Sequence, residues 1–103
     1  MTRTLRFRPE VEEDILEARL WYESKSDGLG QEFLRVFYAT TADLASGPLR
    51  YPKVYGSVRR RLLRRFPYAV YFTTDPRQVI VFAVLHCARS PRRIRGILRR
   101  RRG

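Results

Sequence analysis

The chain has 103 residues, which is enough to build one hydrophobic core and too few for two. Its hydrophobic content of 44%, with 13% aromatic residues, argues against an intrinsically disordered protein. The single cysteine, Cys87, cannot form an internal disulfide, and no apolar run reaches the roughly 18 residues that a membrane span requires. Residues 1–8 lack the apolar centre of a signal peptide. We therefore expect a single-domain protein of the cytoplasm.

Positive charge is concentrated in the second half of the chain. Residues 1–51 carry seven Lys or Arg and nine Asp or Glu, a net charge of −2, whereas residues 52–103 carry fifteen and one, a net charge of +14. Twenty of the 22 cationic residues are arginine, whose planar guanidinium forms paired hydrogen bonds with phosphate or carboxylate. A general bias toward arginine would explain why lysine is scarce. It would explain less well why positive charge is concentrated in one half of the chain. The second half is therefore expected to attract anionic partners.

The first half of the chain predicts a short strand followed by a helix. Thr4–Phe7 alternates apolar and polar residues, which is typical of an edge strand, and Pro9 ends it. An apolar stripe then repeats with helical spacing and has acidic residues at its start, which predicts an amphipathic helix that reaches about Ser24. The members of this stripe are Val11, Ile15, Ala18 and Tyr22.

A second helix follows after a very short turn. Ser26-Asp27-Gly28 has good turn chemistry, and Ser46-Gly47-Pro48 supplies a glycine stop followed by proline. The apolar stripe between these two signals consists of Leu29, Phe33, Val36, Phe37, Thr40 and Leu44. Because the connection is so short, we expect the two helices to form an antiparallel hairpin.

The second half predicts three antiparallel strands, Val58–Arg65, Tyr68–Thr74 and Val79–His86. Residues 49–57 are expected to form a loop whose tyrosines cover the open end of the core. The N-terminal strand is expected to join the same sheet. The predicted fold is therefore α+β, with the helix hairpin packed on a roughly four-stranded antiparallel sheet in a domain of residues 1–92.

The segment after Arg92 is rich in arginine. Eight arginines lie between Arg89 and Arg102, and together with Gly96 they oppose a stable isolated helix. We therefore expect residues 93–103 to form a frayed basic tail. Deletion of residues 96–103 should then leave the fold intact.

Several short motifs accompany this order of elements. They are Trp21-Tyr22, Gly28-Leu29-Gly30 with Phe33, Tyr51-Pro52, Val58-Arg59, Phe66-Pro67-Tyr68 with Val70 and Tyr71, and Val84-Leu85-His86 with Ala88-Arg89. In this order and spacing, the chain from Phe7 to about Arg92 resembles the RelE/ParE superfamily, the bacterial toxins of type II toxin-antitoxin pairs. The Phe66-Pro67-Tyr68 turn and the end of the last strand are more similar to the ParE branch.

The resemblance implies a toxin that inhibits growth by binding an essential target and that a cognate antitoxin neutralises. ParE-type members are associated with poisoning DNA gyrase, so gyrase is the expected target and an enzymatic activity is not expected. RelE-type members cut messenger RNA on the ribosome, so a ribosome-dependent endoribonuclease is the alternative. The residues expected to bind the target are Arg59, Arg61, Arg65, His86 and Arg89.

The expected partner is an acidic antitoxin with a few large apolar anchors, because the second half of the chain attracts anions. A helix of this partner is expected to lie along the hairpin, and an extended segment could add to an open sheet edge. The expected antitoxin-binding residues are Val11, Ile15, Tyr22, Phe33 and Phe37.

The nuclease alternative makes chemical demands that the sequence meets only in part. Cleavage of RNA without a metal needs a base, an acid and cations that hold the phosphate. His86 would move one proton, and Arg59, Arg61 and Arg65 would hold phosphate. The second half offers no clear second proton carrier, since Asp75 is its one carboxylate residue and lies in a turn.

A metal site and a cofactor site are not expected. His86 and Cys87 are adjacent in a strand and point to opposite faces, so they cannot bind one ion together. A second alternative is a small basic nucleic-acid-binding protein, whose residues 92–102 would contact phosphates without sequence specificity.

Overall fold

The computed structural model describes residues 2–102. Five strands and three helices occur there, together with a short 3-10 helix, Pro48–Arg50. In chain order the main elements are β1 Thr4–Phe7, α1 Glu10–Lys25, α2 Leu29–Leu44, β2 Lys53–Tyr55, β3 Val58–Leu62, β4 Tyr68–Thr74, β5 Gln78–His86 and α3 Pro91–Arg102. None of these helices has the length and hydrophobicity needed to span a membrane.

The strands form one sheet in the order β1-β5-β4-β3-β2. The antiparallel pairing of β3, β4 and β5 is as predicted, but β1 runs parallel to β5, with Thr4 opposite Gln78 and Phe7 opposite Val81. The sheet is therefore mixed and has five strands instead of about four antiparallel ones. Two helices and three strands separate β1 from β5 along the chain. No short turn therefore joins the two strands, and the sequence gives no local signal for the direction of β1. The additional strand, β2, has three residues and lies in the predicted loop.

Strand β3 is shorter than predicted. It ends at Leu62, whereas the sequence pattern extends it to Arg65. Arg65 adopts a positive φ of 67°, a conformation that a regular strand does not contain. Residues 63–67 therefore form the turn that leads into β4, and this turn carries exposed Arg64 and Arg65.

The hairpin of α1 and α2 covers one face of the sheet, as predicted. Its two apolar stripes pack against the side chains of β4 and β5 and of the turn before β4. The buried cluster on this face consists of Val11, Ile15, Ala18, Tyr22, Phe33, Phe37, Leu44, Leu63, Phe66, Val70, Phe72, Val79, Val81 and Val84.

Two glycines and one carboxylate make the turn of the hairpin tight. The Glu23 carboxylate accepts hydrogen bonds from the backbone N–H groups of Gly28 and Gly30, each at 2.9 Å. Gly28 has a positive φ of 84°, which other residues adopt only with strain. A Cβ atom at position 30 would lie 2.6 Å from the carbonyl oxygen of Arg19, so α1 and α2 pack too closely there for any side chain.

Helix α3 covers the other face of the sheet, and the prediction of a frayed tail is wrong. Residues 91–102 are helical, and Leu98 is fully buried. Ile94 and Ile97 flank Leu98 and are partly buried, so three apolar side chains at helical spacing dock α3 on the sheet. The buried cluster on this face consists of Val58, Ala69, Tyr71, Phe82, Ala83, Leu85 and Leu98. Tertiary packing thus supports a helix that would be unstable in isolation.

Candidate functional site

Arg59 extends from β3 to the hairpin side of the sheet and supports the preceding loop. It pairs with Phe72 of β4, whose side chain belongs to the core on that side. Its guanidinium donates a hydrogen bond to the carbonyl oxygen of Tyr51 at 2.6 Å. Tyr51 in turn packs against Phe72, as expected for a residue that covers the open end of the core. Arg59 therefore has a structural role in the isolated chain.

Arg61 lies on the same side of β3 and connects the strand to the end of α2. Its Nη1 lies 2.7 Å from the Asp43 carboxylate and 3.2 Å from the Thr40 carbonyl oxygen. The guanidinium also stacks over the ring of Tyr51, 4.9 Å from its centre. The hydrogen bond from Arg61 lowers the pKa of Asp43. Asp43 also pairs with Arg50 at 3.3 Å, so Arg61 shares its counter-charge with a second arginine.

Arg65 also binds a carboxylate of α2. Its Nη1 lies 2.7 Å from Oε1 of Glu32, which also pairs with Arg35 one turn further along the helix. The pKa of Glu32 is lowered, first by the hydrogen bond from Arg35 and further by the charge of Arg65. More than half of the Arg65 side chain remains exposed, so this ion pair is accessible to a competing anion.

His86 ends β5 and stabilises the turn that follows it. Its Nδ1 accepts a hydrogen bond from the N–H of Ala88 at 2.9 Å, and its ring packs edge-on against Tyr68, 5.0 Å away. Because Nδ1 accepts a hydrogen bond, the neutral ring carries its proton on Nε2. No other side-chain hydrogen bond reaches His86 from residues 2–102.

The five predicted target-binding residues are thus distributed over several places. Arg59 and Arg61 bind groups of the loop and of α2, Arg65 pairs with Glu32, and His86 stabilises its own turn. Arg89 is exposed and lies beside α3 on the other face. The structure does not bring these residues into one catalytic arrangement. Within residues 2–102 there is also no group of three His, Cys, Asp or Glu residues placed to hold a metal ion.

The five residues predicted to contact the antitoxin lie in the core. Val11, Ile15, Tyr22, Phe33 and Phe37 are all at most 9% exposed. The sequence pattern identifies the apolar stripe of each helix correctly, but a hairpin packed on a sheet buries that stripe against the sheet. These side chains are therefore unavailable to a partner while the domain is folded, and the assignment requires correction.

The exposed apolar side chains of α1 lie on the side away from this stripe. Leu16, Leu20 and Trp21 are 50%, 57% and 55% exposed. They lie on a predominantly acidic helix, since α1 contains six Asp or Glu and two Lys or Arg, although Lys25 lies over the ring of Trp21. An acidic partner would be repelled by this surface. An acidic antitoxin is therefore better matched to a different part of the domain.

A groove between α2 and β3 combines cationic and apolar side chains. Its volume is about 520 Å³. It is lined by Val36, Ala39, Thr40, Asp43, Arg61, Leu62, Arg64 and Arg65, and we call it the α2/β3 groove. Leu62 is 56% exposed, and Arg64 makes no side-chain hydrogen bond with residues 2–102. The sequence pattern singles out Arg61 and Arg65 but gives no signal for this groove.

The outer edge of β3 is open beside this groove. Strand β2 pairs with β3 only at Val58 and Arg59, and the N–H of Arg60 donates to the carbonyl oxygen of Pro52. Beyond Arg60, no strand within residues 2–102 covers this side of β3. An unpaired sheet edge is a site where an extended segment of another chain can add a strand.

Comparisons with known proteins agree with this architecture. Residues 5–91 match the family model described as the ParE toxin of the type II toxin-antitoxin system parDE. The fold is similar to a solved chain of a chromosomal ParDE toxin-antitoxin system from P. aeruginosa, with a TM-score of 0.72. The two are 13% identical in sequence, and the similarity covers 82% of this chain and 96% of the other. No curated protein matches the sequence. The family match spans most of the chain, which therefore belongs to the ParE toxin family of type II toxin-antitoxin systems.

Proposed function

We propose that this ParE-family toxin inhibits growth by binding DNA gyrase, and that an acidic antitoxin neutralises it by occupying the α2/β3 groove. Family membership supports the toxin role. The observation that carries the antitoxin site is the juxtaposition of exposed Leu62, free Arg64 and an open strand edge. A segment with acidic residues and apolar anchors is complementary to all three features.

The antitoxin segment would add to the outer edge of β3 in extended conformation. Its alternate side chains would then point into the groove, where Val36 and Leu62 offer apolar contacts. Arg64 would bind a carboxylate of the partner directly. Arg65 would also bind a carboxylate of the partner, either beside Glu32 or in its place, because the present ion pair with Glu32 is exposed.

The target surface would include Arg89 on the other side of the sheet. Arg89 is the one predicted target residue whose side chain is both largely exposed and free of hydrogen bonds with residues 2–102. Inhibition by binding requires no pair of proton carriers, which agrees with the structural role of the His86 ring. Arg59 and Arg61 would act indirectly, because they hold the loop and α2 against β3.

Controlled expression followed by two assays tests this proposal. Expression of the chain alone should arrest growth, and co-expression of the protein encoded beside it should restore growth. The purified toxin should inhibit supercoiling by purified gyrase, and Arg89→Gln should inhibit less than the exposed control Arg77→Gln. Transcript cuts that require translation and vanish in a folded His86→Ala variant would overturn the gyrase proposal in favour of the ribosome. Harmless expression of a folded, abundant chain would contradict a toxin role for it.

A further inference from the structure

The arginines at the C-terminal end of the chain divide into two groups. Arg101 pairs with Asp14, Arg102 donates to the Ser57 hydroxyl at 2.6 Å, and Arg99 lies 3.5 Å from the Tyr55 hydroxyl. These three connect α3 to the rest of the domain. The other group makes no side-chain hydrogen bonds with residues 2–102, and its members are Arg89, Arg92, Arg93, Arg95 and Arg100.

Four of the free arginines line one open groove. Its volume is about 760 Å³. We call it the arginine groove, and its lining consists of Arg89, Arg92, Arg93, Gly96, Ile97 and Arg100. Helical spacing places Arg92, Gly96 and Arg100 in one row, because residues four apart occupy the same face. Gly96 lies in the middle of this row, and the guanidinium of Arg100 lies over it, with Nη1 3.5 Å from the position of a Cβ atom there.

This concentration of charge is not used by the fold. Helix α3 contains no acidic residue, and within residues 2–102 its one salt bridge joins Asp14 to Arg101, which is not a groove residue. Like charges three or four residues apart destabilise a helix. The packing of α3 depends on Leu98 and its neighbours and not on the groove arginines. An anionic ligand would remove this repulsion, and the groove is open to solvent.

We propose that the arginine groove binds the phosphodiester backbone of nucleic acid without regard to base sequence. The row from Arg92 to Arg100 is about 12 Å long, from the helical rise of 1.5 Å per residue. Each strand of a duplex carries one phosphate per about 3.4 Å of the duplex axis. The row therefore spans roughly three or four phosphates of one strand when it lies along that axis. The planar guanidinium forms paired hydrogen bonds with phosphate oxygens.

The lining suits the nucleic-acid backbone better than the bases. Sequence is read mainly by side chains whose donors and acceptors match base edges. An arginine can bind the edge of guanine, but the lining of arginine, glycine and isoleucine contains no amide or carboxylate side chain that would pair with adenine or cytosine. Phosphate contacts, which every nucleotide offers, are therefore the chemistry that this lining favours.

A matched pair of triple variants tests this inference. Arg92→Gln/Arg93→Gln/Arg100→Gln removes three charges from the groove, and Lys25→Gln/Lys53→Gln/Arg77→Gln removes three exposed charges elsewhere. Binding to random-sequence duplex DNA, duplex RNA and single-stranded RNA is measured by fluorescence anisotropy from 50 to 200 mM salt. Thermal unfolding confirms that each variant is folded.

The groove variant should lose most of the salt dependence of binding. Each lost phosphate contact reduces the slope of log K against log salt concentration by about 0.9 for duplex DNA. Over this salt range the wild type should therefore weaken roughly 40-fold more than the groove variant, whereas the control should behave like the wild type. Equal losses in the two variants would overturn the proposal and indicate diffuse attraction by net charge. Failure of the wild type to bind any of the three nucleic acids at 50 mM salt would also overturn it.

A third variant separates the effect of charge from that of the paired hydrogen bonds that a guanidinium forms. Arg92→Lys/Arg93→Lys/Arg100→Lys keeps the three charges, so it should keep the salt slope while binding more weakly. A variant that loses the slope although its charge is unchanged would contradict the phosphate contacts. These measurements use the isolated protein and require no gyrase. A failure of the nucleic-acid inference is therefore distinguishable from a failure of the proposed function.

Discussion

The carboxylate of Asp14 and the guanidinium of Arg101 form an ion pair with two hydrogen bonds across the edge of β5, which joins α1 to α3. The Asp14 carboxylate also accepts the N–H of Val84 at 2.9 Å, and Arg101 donates to the carbonyl oxygen of Phe82 at 3.0 Å. Strand β1 pairs with β5 only as far as Val81. The ion pair therefore satisfies backbone groups of β5 that β1 leaves without a partner, and it fixes α3 to the opposite layer.

Replacement of Arg101 should destabilise the domain strongly. Arg101→Met leaves the Asp14 carboxylate nearly buried without its counter-charge, and removal of one partner of such a pair costs about 3–5 kcal/mol. Urea unfolding at neutral pH measures this loss. Arg100→Met is the matched control, because Arg100 is exposed on the same helix and should change stability by less than about 0.5 kcal/mol. Equal effects of the two substitutions would contradict the structural role of the pair.

Leu98 should be the apolar residue on which the position of α3 depends. Leu98→Ala removes a fully buried side chain, so a loss of about 2–5 kcal/mol is expected in urea unfolding. Deletion of residues 96–103 removes Leu98 together with Arg101 and should prevent stable folding. Leu49→Ala is the control, since Leu49 is 59% exposed and its truncation should be nearly neutral. A stable truncated protein would show that the earlier expectation of a dispensable tail is correct.

Replacement of Gly30 by alanine should lower the stability of the domain, whereas replacement of Gly96 by alanine should raise it. A Cβ at position 30 meets the backbone oxygen of Arg19 at 2.6 Å, so Gly30→Ala must separate α1 from α2 and should cost about 1–3 kcal/mol. A Cβ at position 96 has only the flexible end of Arg100 nearby, at 3.5 Å. Gly96→Ala should therefore stabilise α3, by up to about 1 kcal/mol from helix propensity. Urea midpoints of the two variants check both signs.

Stability should fall in acid partly because Glu23 loses its charge. Two backbone hydrogen bonds, from Gly28 first and then Gly30, lower the pKa of Glu23 in the folded protein below its ordinary value of 4.5. Since the folded pKa is the lower one, this stabilisation is present above about pH 4.5 and is lost as the pH falls through the folded pKa. Glu23→Gln should therefore be less stable than the wild type at pH 7, and the difference should shrink toward pH 3. A difference between Glu23→Gln and the wild type that stays constant from pH 7 to pH 3 would contradict the role of the charged carboxylate.

The sequence predicts the hairpin and the three central strands because their apolar spacing is local. The direction of β1 and the docking of α3 depend instead on contacts between distant residues, such as Asp14 and Arg101, which lie 87 positions apart. Local charge in residues 91–102 opposes a helix, and the packing of Leu98 on the sheet together with the Asp14–Arg101 ion pair reverses that balance.

The candidate site is less predictable than the fold. Periodicity identifies Phe33 and Phe37 as apolar positions of α2 but does not say whether a sheet or a partner covers them. At the end of β3, the adjacent Leu62 and Leu63 are both apolar, so the sequence does not show which of them points into the core. The structure buries Leu63 and exposes Leu62, and this choice creates the apolar part of the α2/β3 groove.

The last prediction concerns the kinetics of antitoxin binding at the α2/β3 groove. Attraction between an acidic segment and the basic half of the toxin should accelerate association, which should slow markedly from about 50 to 500 mM salt while dissociation changes little. Arg64→Gln should slow association at low salt, and the exposed control Arg77→Gln should have a smaller effect.

Leu62 should act on dissociation instead. Leu62 is 56% exposed, so its complete burial by the partner would contribute about 0.8–1.7 kcal/mol, and Leu62→Ala should accelerate dissociation roughly 4- to 15-fold. Leu16→Ala on α1 is the matched control, because Leu16 is similarly exposed but lies in acidic surroundings that an acidic segment avoids. Surface plasmon resonance with the immobilised antitoxin measures both rates for each variant. A basic partner, association that is insensitive to salt, or a larger effect of Leu16→Ala than of Leu62→Ala would move the antitoxin site away from the groove.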